Sequence, residues 1–343
     1  MTELVKCVVW DLDDTVWNGV LLENDAIHLR LGVVDTVREL DRRGILQSIA
    51  SRNDGARATA ALRDFGLSDY FLVPQLGWGA KSGSVRRIAE ELSIGLDTLL
   101  FVDDDPVERA EVASTHPDVR VADADIPALL TRPDLTPAAV TGEGRRRRLM
   151  YHAEFRRRRA EQDFTGPAPE FLASLQMNVT IRRAALGDLD RAEELTVRTN
   201  QLNATGYPYS RAELAELASS AVHDLIVVEL SDRFGSYGIV GLALLTHDPQ
   251  VWTVKLLLMS CRVSARGIGT VLLHDLITQS QRQKTRLRGE FVPTPVNRPM
   301  RISYRLAGFR AVGSRDGVQL LEHHGTPTTP APHVTVSSTW SQM

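Results

Sequence analysis

Cysteine is almost missing from this chain: Cys7 and Cys261 are the only two in 343 residues, and they lie far apart. That excludes a disulfide framework and a thiolate metal site, both of which need cysteines at short or repeated spacings. Long apolar runs are missing too, since no window approaches the roughly 20 residues that span a bilayer. The opening Met1-Thr2-Glu3-Leu4-Val5-Lys6 has no signal-peptide pattern. Charge of one sign is scarce, with a formal net charge of −3 that removes any global electrostatic case for nucleic acid. No internal repeat is present. The expectation is a cytoplasmic protein without membrane or nucleic-acid partners, long enough for two domains with real cores.

What is present begins at Val8-Val9-Trp10-Asp11-Leu12-Asp13-Asp14-Thr15, an apolar strand pattern running into two aspartates one residue apart. In open α/β sheets ligands bind beyond the carboxyl ends of strands, which is where Asp11 and Asp13 are delivered. One carboxylate can attack phosphorus while the other handles a proton. Gly44 to Ser51 reads as a second strand ending in a hydroxyl, with Arg52, Asn53 and Asp54 opening a helix. Lys81 starts a helical pattern that carries Val85, Ile88, Ala89 and Leu92. Leu99-Leu100-Phe101-Val102 is a buried-type strand that ends in Asp103-Asp104-Asp105-Pro106.

The order acidic pair, hydroxyl, lysine, acidic pair, each at the edge of an element, resembles the four motifs of the haloacid dehalogenase (HAD) superfamily. Phosphoryl transfer is mostly positioning and electrostatic stabilisation, so Ser51, Arg52, Asn53 and Lys81 are the candidates for holding phosphate oxygens. A carboxylate and a phosphate repel each other without a cation between them, and Mg²⁺ is the expected one. The resemblance implies that Asp11 is nucleophile and metal ligand. It implies that Asp13 is the acid/base and lends its backbone carbonyl to the metal, and that Asp104, supported by Asp103, completes the site. Between Thr15 and Ile45 there is room for a hairpin at 18–31 and a helix at 33–43, but for no cap domain. Between Ser51 and Lys81 only a helix and a short strand near 70–73 fit. The site is therefore expected to be open, suited to a large substrate or to closure by another domain.

The α/β pattern fades after about Leu130, at Arg132-Pro133-Asp134-Leu135-Thr136-Pro137. Arg145 to Arg148 and Arg156 to Arg159 then flank Leu149, Met150, Tyr151 and Phe155, a helix with a narrow apolar stripe. It reads as a solvated linker helix, with a docking patch for an acidic partner as the alternative. A second domain starts at the strand pattern 177–181. Helices follow at 189–200 and, behind a capping box of Ser210 and Glu213, at 211–218. Strands read at 225–230, 239–245 and 251–261, the last running into Arg266-Gly267-Ile268-Gly269-Thr270 and an amphipathic helix. A strand, a glycine turn and a helix N-terminus suit a pyrophosphate or a pantetheine arm. The expected domains are 1–135 (phosphoryl transfer), 136–175 (basic helical connector) and 176–324 (acyltransferase-like). Residues 325–343, rich in Thr, Pro and Ser, are expected to be a disordered tail.

The strand, glycine turn and helix resemble the GNAT acyltransferase fold, with Ser264 in the place of the signature's first basic residue. Asn297, Tyr304, Gly308 and Phe309 fit that family's late pattern. The fold class expected is α/β throughout: a HAD-like Rossmannoid parallel sheet without a large cap, followed by a GNAT-like α/β domain.

Seven segments taken together resemble the FkbH-like glyceryl transferase/phosphatases from about Val5 to Leu321. They are residues 7–20, Trp78-Gly79-Ala80-Lys81-Ser82, 101–109, Arg198-Thr199-Asn200-Gln201-Leu202-Asn203, Asp232-Arg233-Phe234-Gly235, Ser260-Cys261-Arg262-Val263 and Pro293-Thr294. Asp105 stands where that family has asparagine. The resemblance implies a protein that takes 1,3-bisphosphoglycerate, removes phosphate and loads glycerate as a thioester on a phosphopantetheinylated acyl carrier protein in polyketide-type biosynthesis. A thiolate suits acyl capture, which makes Cys261 the candidate tether, with core packing as its alternative reading and as the favoured one for Cys7. Arg262, Arg266, Gly267, Gly269 and Asn297 are the acyl or pantetheine candidates. Two other enzymes fit the residues: a phosphatase acting on a small phosphorylated metabolite, and a CoA-dependent N-acyltransferase fused to a phosphatase. A carrier-binding scaffold with a decayed site is the non-enzymatic alternative.

Overall fold

The computed structural model describes residues 4–23, 26–137, 140, 142–325 and 332–341. The chain divides into two compact units, Met1–Phe155 and Arg156–Met343. The division falls inside one helix, not at the ends of a separate connector.

Unit 1 contains β1 (Cys7–Trp10), β2 (Trp17–Asn18), β3 (His28–Leu29), α1 (Val33–Arg42), β4 (Leu46–Ser51), α2 (Gly55–Asp64), β5 (Gln75–Leu76), α3 (Lys81–Leu92), β6 (Leu99–Val102), α4 (Pro106–Thr115), β7 (Arg120–Ala122) and α5 (Ile126–Leu129). Its sheet has the order β5-β4-β1-β6-β7, and every pairing in it is parallel. Parallel sheets are covered on both faces, and β1 shows it residue by residue. Val8 and Trp10 enter one buried cluster, with Val33, Val37 and Leu40 of α1. Cys7 and Val9 enter another, with Val85, Ile88 and Leu92 of α3. The i, i+3, i+4, i+7 spacing of apolar side chains on α1 and α3 places those helices on opposite faces. The chain runs outward from β1 through β4 to β5, then returns to the other side of β1 as β6. Strand order thus reverses between β1 and β6, the place where open α/β sheets bind ligands.

The insertion after β1 is the short hairpin β2–β3, as its length required, although Asn24 and Asp25 within it lie outside the described residues. The short strand expected near 70–73 is instead β5, with Phe71 making only an isolated bridge to Gln47.

The helix α6 (Arg147–Asp163) overturns the solvated-linker reading. In unit 1, Arg148 forms two hydrogen bonds to the Asp41 carboxylate and lies over the Tyr70 ring, while Tyr151 and Phe155 pack on the α3 side of the core. In unit 2, Arg157 is buried and pairs bidentately with Asp232, its guanidinium 3.7 Å from the Tyr237 ring centroid.

Unit 2 continues with α7 (Ala168–Ser174), β8 (Met177–Arg183), α8 (Leu189–Arg198), α9 (Arg211–Ser219), β9 (His223–Asp232), β10 (Gly235–His247), β11 (Val251–Met259), α10 (Ile268–Arg282), β12 (Arg286–Phe291), α11 (Arg298–Leu306), β13 (Phe309–Arg315), β14 (Val318–His323) and β15 (Val334–Ser338). The sheet order is β13-β14-β12-β11-β10-β9-β8-β15. It is antiparallel except for β11 with β12 and β15 with β8. Alternate residues again supply two cores. Leu242, Leu244, Leu256 and Leu258 pack with α8 and α9, and Ala243, Leu245, Leu257 and Met259 with α10 and α11. Gly241 has to be glycine, because a Cβ there would lie 2.4 Å from the Met259 sulfur.

The expected disordered tail is corrected in part. Residues 334–338 form the edge strand β15, and Trp340 is buried with its indole N–H on Asp275 Oδ2 at 2.6 Å. Residues 326–331 and 342–343 of that segment lie outside the described residues. Among the described residues no helix is long and apolar enough to cross a membrane.

Candidate active site

Asp11 follows β1 and Asp103 follows β6, the two strands that flank the reversal of strand order. Lys81, the first residue of α3, reaches both, with Nζ 2.7 Å from Asp11 Oδ1 and 2.6 Å from Asp103 Oδ2. All three side chains are buried. A lysine at a helix N-terminus is opposed by the helix dipole and by desolvation. Burial works against its charge, but Asp11 and Asp103 outweigh it and raise the Lys81 pKa.

The carboxylates feel the same competition in reverse. Burial pushes the Asp11 carboxyl up to about 7, with Asp103 adding to the rise and with Lys81 and a hydrogen bond from Ser51 holding it down. Asp103 is also raised, first by burial. Two buried carboxylates against one lysine leave the site short of positive charge. Oxygen atoms of Asp11, Asp103 and Asp104 all lie within 4.8 Å of one another. A compact set of hard oxygen donors with unbalanced negative charge fits a divalent cation such as Mg²⁺, which takes one or two carboxylates and completes its shell with water and phosphate oxygens. Asp104 is itself held by Thr15, whose hydroxyl donates to Oδ1 and accepts from the Asp104 N–H, both at 3.1 Å.

Asp13 lies in the turn after β1, where the Leu12 carbonyl accepts from the N–H groups of Thr15, Val16 and Trp17. Asp14 takes a left-handed conformation there, φ 50°, which short polar side chains tolerate. Both Asp13 oxygens are engaged. Oδ1 accepts from the Trp17 indole at 2.7 Å and from the Leu21 N–H at 3.3 Å, and Oδ2 accepts from the Asn53 amide at 2.9 Å.

The phosphate-binding candidates separate under this geometry. Ser51 and Lys81 join the carboxylate cluster. Asn53 is buried and orients Asp13 instead of facing an open space. Arg52 is drawn to Glu108 at 2.7 Å, so it does not stand as a free phosphate ligand. Asp105, expected to add charge near the metal, turns its Oδ1 to the Val107 N–H and caps α4. Sequence reading missed Trp17 and Thr15 as partners of Asp13 and Asp104. Both lie within the turn that follows β1, and that proximity was the available signal. It also missed Glu111, which takes the Ser82 hydroxyl and N–H at the start of α3.

In unit 2 the placement of Cys261 differs from expectation. Strand β11 stops at Met259, and Cys261 opens a short 3₁₀ turn, Cys261–Arg266, that leads into α10. Cys261 is exposed, which removes its core-packing reading, whereas Cys7 is fully buried and burial pushes its thiol pKa far up. A buried, protonated thiol is inert, so Cys7 is a core residue. Arg262 donates to the Tyr237 carbonyl at 3.4 Å, and Arg266 is buried against Phe171 with Glu161 at 3.1 Å. Gly267 takes φ 75° and Gly269 lies in the first turn of α10. Asn297 is buried and is engaged entirely with backbone and Thr294. The five acyl or pantetheine candidates are therefore structural neighbours of the turn, and Arg266 and Asn297 are already satisfied within the unit.

No family model and no curated protein matches the chain. Among solved structures, the chain is similar to the N-terminal part of BF1531 from Bacteroides fragilis, which contains a phosphatase domain and is complexed with Mg. The two are 30% identical over 35% of this chain and 36% of that one, with a TM-score of 0.32, so the chain spans about a third of that protein's length. It is similar to the ribosomal-protein-S18-alanine N-acetyltransferase from Escherichia coli, at 16% identity over 44% of this chain and 96% of that one, TM-score 0.34. A GNAT family acetyltransferase from Elizabethkingia anophelis, with acetyl-CoA bound, gives 16% identity over 43% and 97% and a TM-score of 0.32.

Strand order, the Asp11–Lys81–Asp103 cluster and the parallel β11–β12 pair define the class of the protein. It joins a HAD-type phosphatase unit to a GNAT acyltransferase-like unit.

Proposed function

We propose that this chain is a Mg²⁺-dependent glyceryl transferase/phosphatase that dephosphorylates 1,3-bisphosphoglycerate and loads the glyceryl group on an acyl carrier protein. The observation that carries the reading is the pairing, in one chain, of a buried phosphoryl-transfer cluster with an exposed cysteine at the mouth of an acyltransferase-like turn. A phosphatase alone has no use for the second. An acyl phosphate presents both chemistries, an activated carbonyl carbon and phosphorus.

In the proposed sequence the Cys261 thiolate attacks the C1 carbonyl, the C1–O bond to phosphate breaks, and inorganic phosphate leaves a 3-phosphoglyceryl thioester. Asp11 then attacks the remaining phosphorus, and the departing alkoxide takes a proton from Asp13. Water hydrolyses the aspartyl phosphate. The carrier thiolate finally displaces Cys261, which recovers its proton. Asp11, Asp104 and the Asp13 carbonyl, with Asp103 behind them, would hold Mg²⁺, which supplies the positive charge that lets an anionic nucleophile approach a phosphate. Lys81 keeps Asp11 ionised for attack. Trp17 and Asn53 hold Asp13 in one orientation.

The test is intact-mass measurement of both proteins after incubation with Mg²⁺ and 1,3-bisphosphoglycerate, with and without phosphopantetheinylated carrier, repeated with Cys261→Ala. A glyceryl increment on the carrier that is lost in the variant is the expected result. Phosphate release with neither protein acylated would leave a phosphatase and remove the transfer step.

A further inference from the structure

Strands β11 and β12 pair in parallel only from Val251 with Arg286 to Val254 with Gly289. Beyond that point the ladder between them stops, and a fork opens whose inner wall is the outer edge of β11 at residues 257–259. In this unit the chain fills the fork itself. Residues 202–204, from the loop between α8 and α9, run antiparallel to β11, with Asn203 opposite Leu258. Ala204 N–H donates to the Leu257 carbonyl, and the Met259 N–H donates to the Leu202 carbonyl, both at 2.9 Å. On the other side the Val292 N–H, just past β12, donates to the Ala204 carbonyl at 2.9 Å.

The filling segment is fixed as firmly as a strand. Asn203 and Ala204 are fully buried. The Asn203 side-chain oxygen accepts from the N–H groups of Thr205 and Gly206, which closes the turn that follows. Asn297 clamps it from the far wall, its amide donating to the Asn203 carbonyl at 3.2 Å and to the Val292 carbonyl at 2.9 Å. The Leu257 carbonyl and the Met259 N–H point into the fork, because those of Leu258 face β10, and both are spent.

We propose that residues 202–204 act as a built-in occluding strand, clamped by Asn297, that bars free coenzyme A and similar extended pantetheine thiols from the edge of β11. An extended amide-bearing chain binds a sheet by taking the hydrogen bonds of a free edge, and here that edge is occupied. The exposed Cys261 lies two residues beyond the occluded edge, so a thiol delivered from solvent can meet it without entering the fork. The specificity that follows is exclusion of the coenzyme, and it holds whether or not the glyceryl transfer proposed above is correct.

The experiment uses the full chain, isothermal titration with coenzyme A, and hydrogen exchange read at the Met259 and Val292 amides. Wild type is expected to show no binding tighter than about 1 mM and slow exchange at both amides. Asn297→Ala removes the clamp, and Ala204→Pro removes the donor to Leu257. If Asn297→Ala does not fold, Ala204→Pro, which leaves the Asn297 clamp in place, is read instead. Each variant is expected to speed exchange at Met259 and Val292 by about tenfold, the effect of losing one such bond, and to bind coenzyme A measurably. Coenzyme A bound by wild type would overturn the proposal, as would variants whose amides open but which still bind none.

Discussion

Replacing Lys81 by methionine isolates the electrostatics of the phosphatase site. The side chain keeps its length but loses the ammonium that lies 2.7 Å from Asp11 and 2.6 Å from Asp103, both buried. Breaking a buried ion pair from one side costs about 3–5 kcal/mol, because the partner charge is left uncompensated. For a unit of this size that corresponds to a melting point lower by about 6–20 °C, measured with EDTA at pH 8.

The pH dependence follows from Asp11. Its folded carboxyl is raised to about 7 from 3.8, chiefly by burial, so between those values the native state holds the proton more tightly than the unfolded chain. Metal-free protein therefore loses stability as pH rises through that window, and the loss is complete above about pH 7. Lys81 limits this loss, and without it the window extends to higher pH. The gap between wild type and Lys81→Met is then small at pH 5, where Asp11 is protonated in both, and largest at pH 8. Urea titration followed by hydrogen exchange of the β1 amides reads unit 1 regardless of unit 2. A gap of equal size at both pH values, or one below about 1 kcal/mol at pH 8 as for an exposed pair, would refute the reasoning.

Three further outcomes are expected. Asp104→Asn should weaken Mg²⁺ binding to the full chain by at least about tenfold by calorimetry, and unchanged affinity would remove Asp104 from the ligand set. Asn53→Ala, which strips the donor from Asp13 Oδ2, should lower kcat for a phosphate monoester by about 10- to 100-fold, within the range of a displaced general acid, and move the pH–rate profile. A change in KM alone would return Asn53 to phosphate binding. Trp340→Ala should cost the edge of the unit 2 sheet about 3–5 kcal/mol and speed exchange at Val334–Ser338 while leaving β11 slow, and unaltered β15 exchange would show that Trp340 does not anchor the strand.

The phosphatase cluster was legible because each of its members lies at the boundary of an element whose apolar pattern is strong. Asp11 and Asp103 end strands buried on both faces, and Lys81 starts a helix with one apolar stripe. The strand-to-loop transition fixes where such residues go before any tertiary detail is known. Asn53 and Arg52 were misread for the complementary reason. Both sit at the edge of the same motif, but their partners, Asp13 and Glu108, come from other segments. The polar group that wins a side chain is a three-dimensional fact.

The larger misreadings share one physical source, the use of composition as a proxy for exposure. A run of arginines is normally solvated, yet Arg157 is buried because Asp232 and the Tyr237 face compensate it within the same unit. A Thr- and Pro-rich terminus normally lacks the apolar area to order itself, yet residues 334–338 need little, since the edge of β8 supplies the backbone partners and a single tryptophan supplies the burial. The occluded fork extends that argument to function. Its hydrogen bonds to β11 and Val292 run through the backbone of Leu202 and Ala204, groups that every residue carries, so no residue pattern could have announced that the edge of β11 was taken. Side-chain motifs therefore disclosed the phosphoryl chemistry, while access to the second unit is governed by main-chain pairing that only the fold discloses.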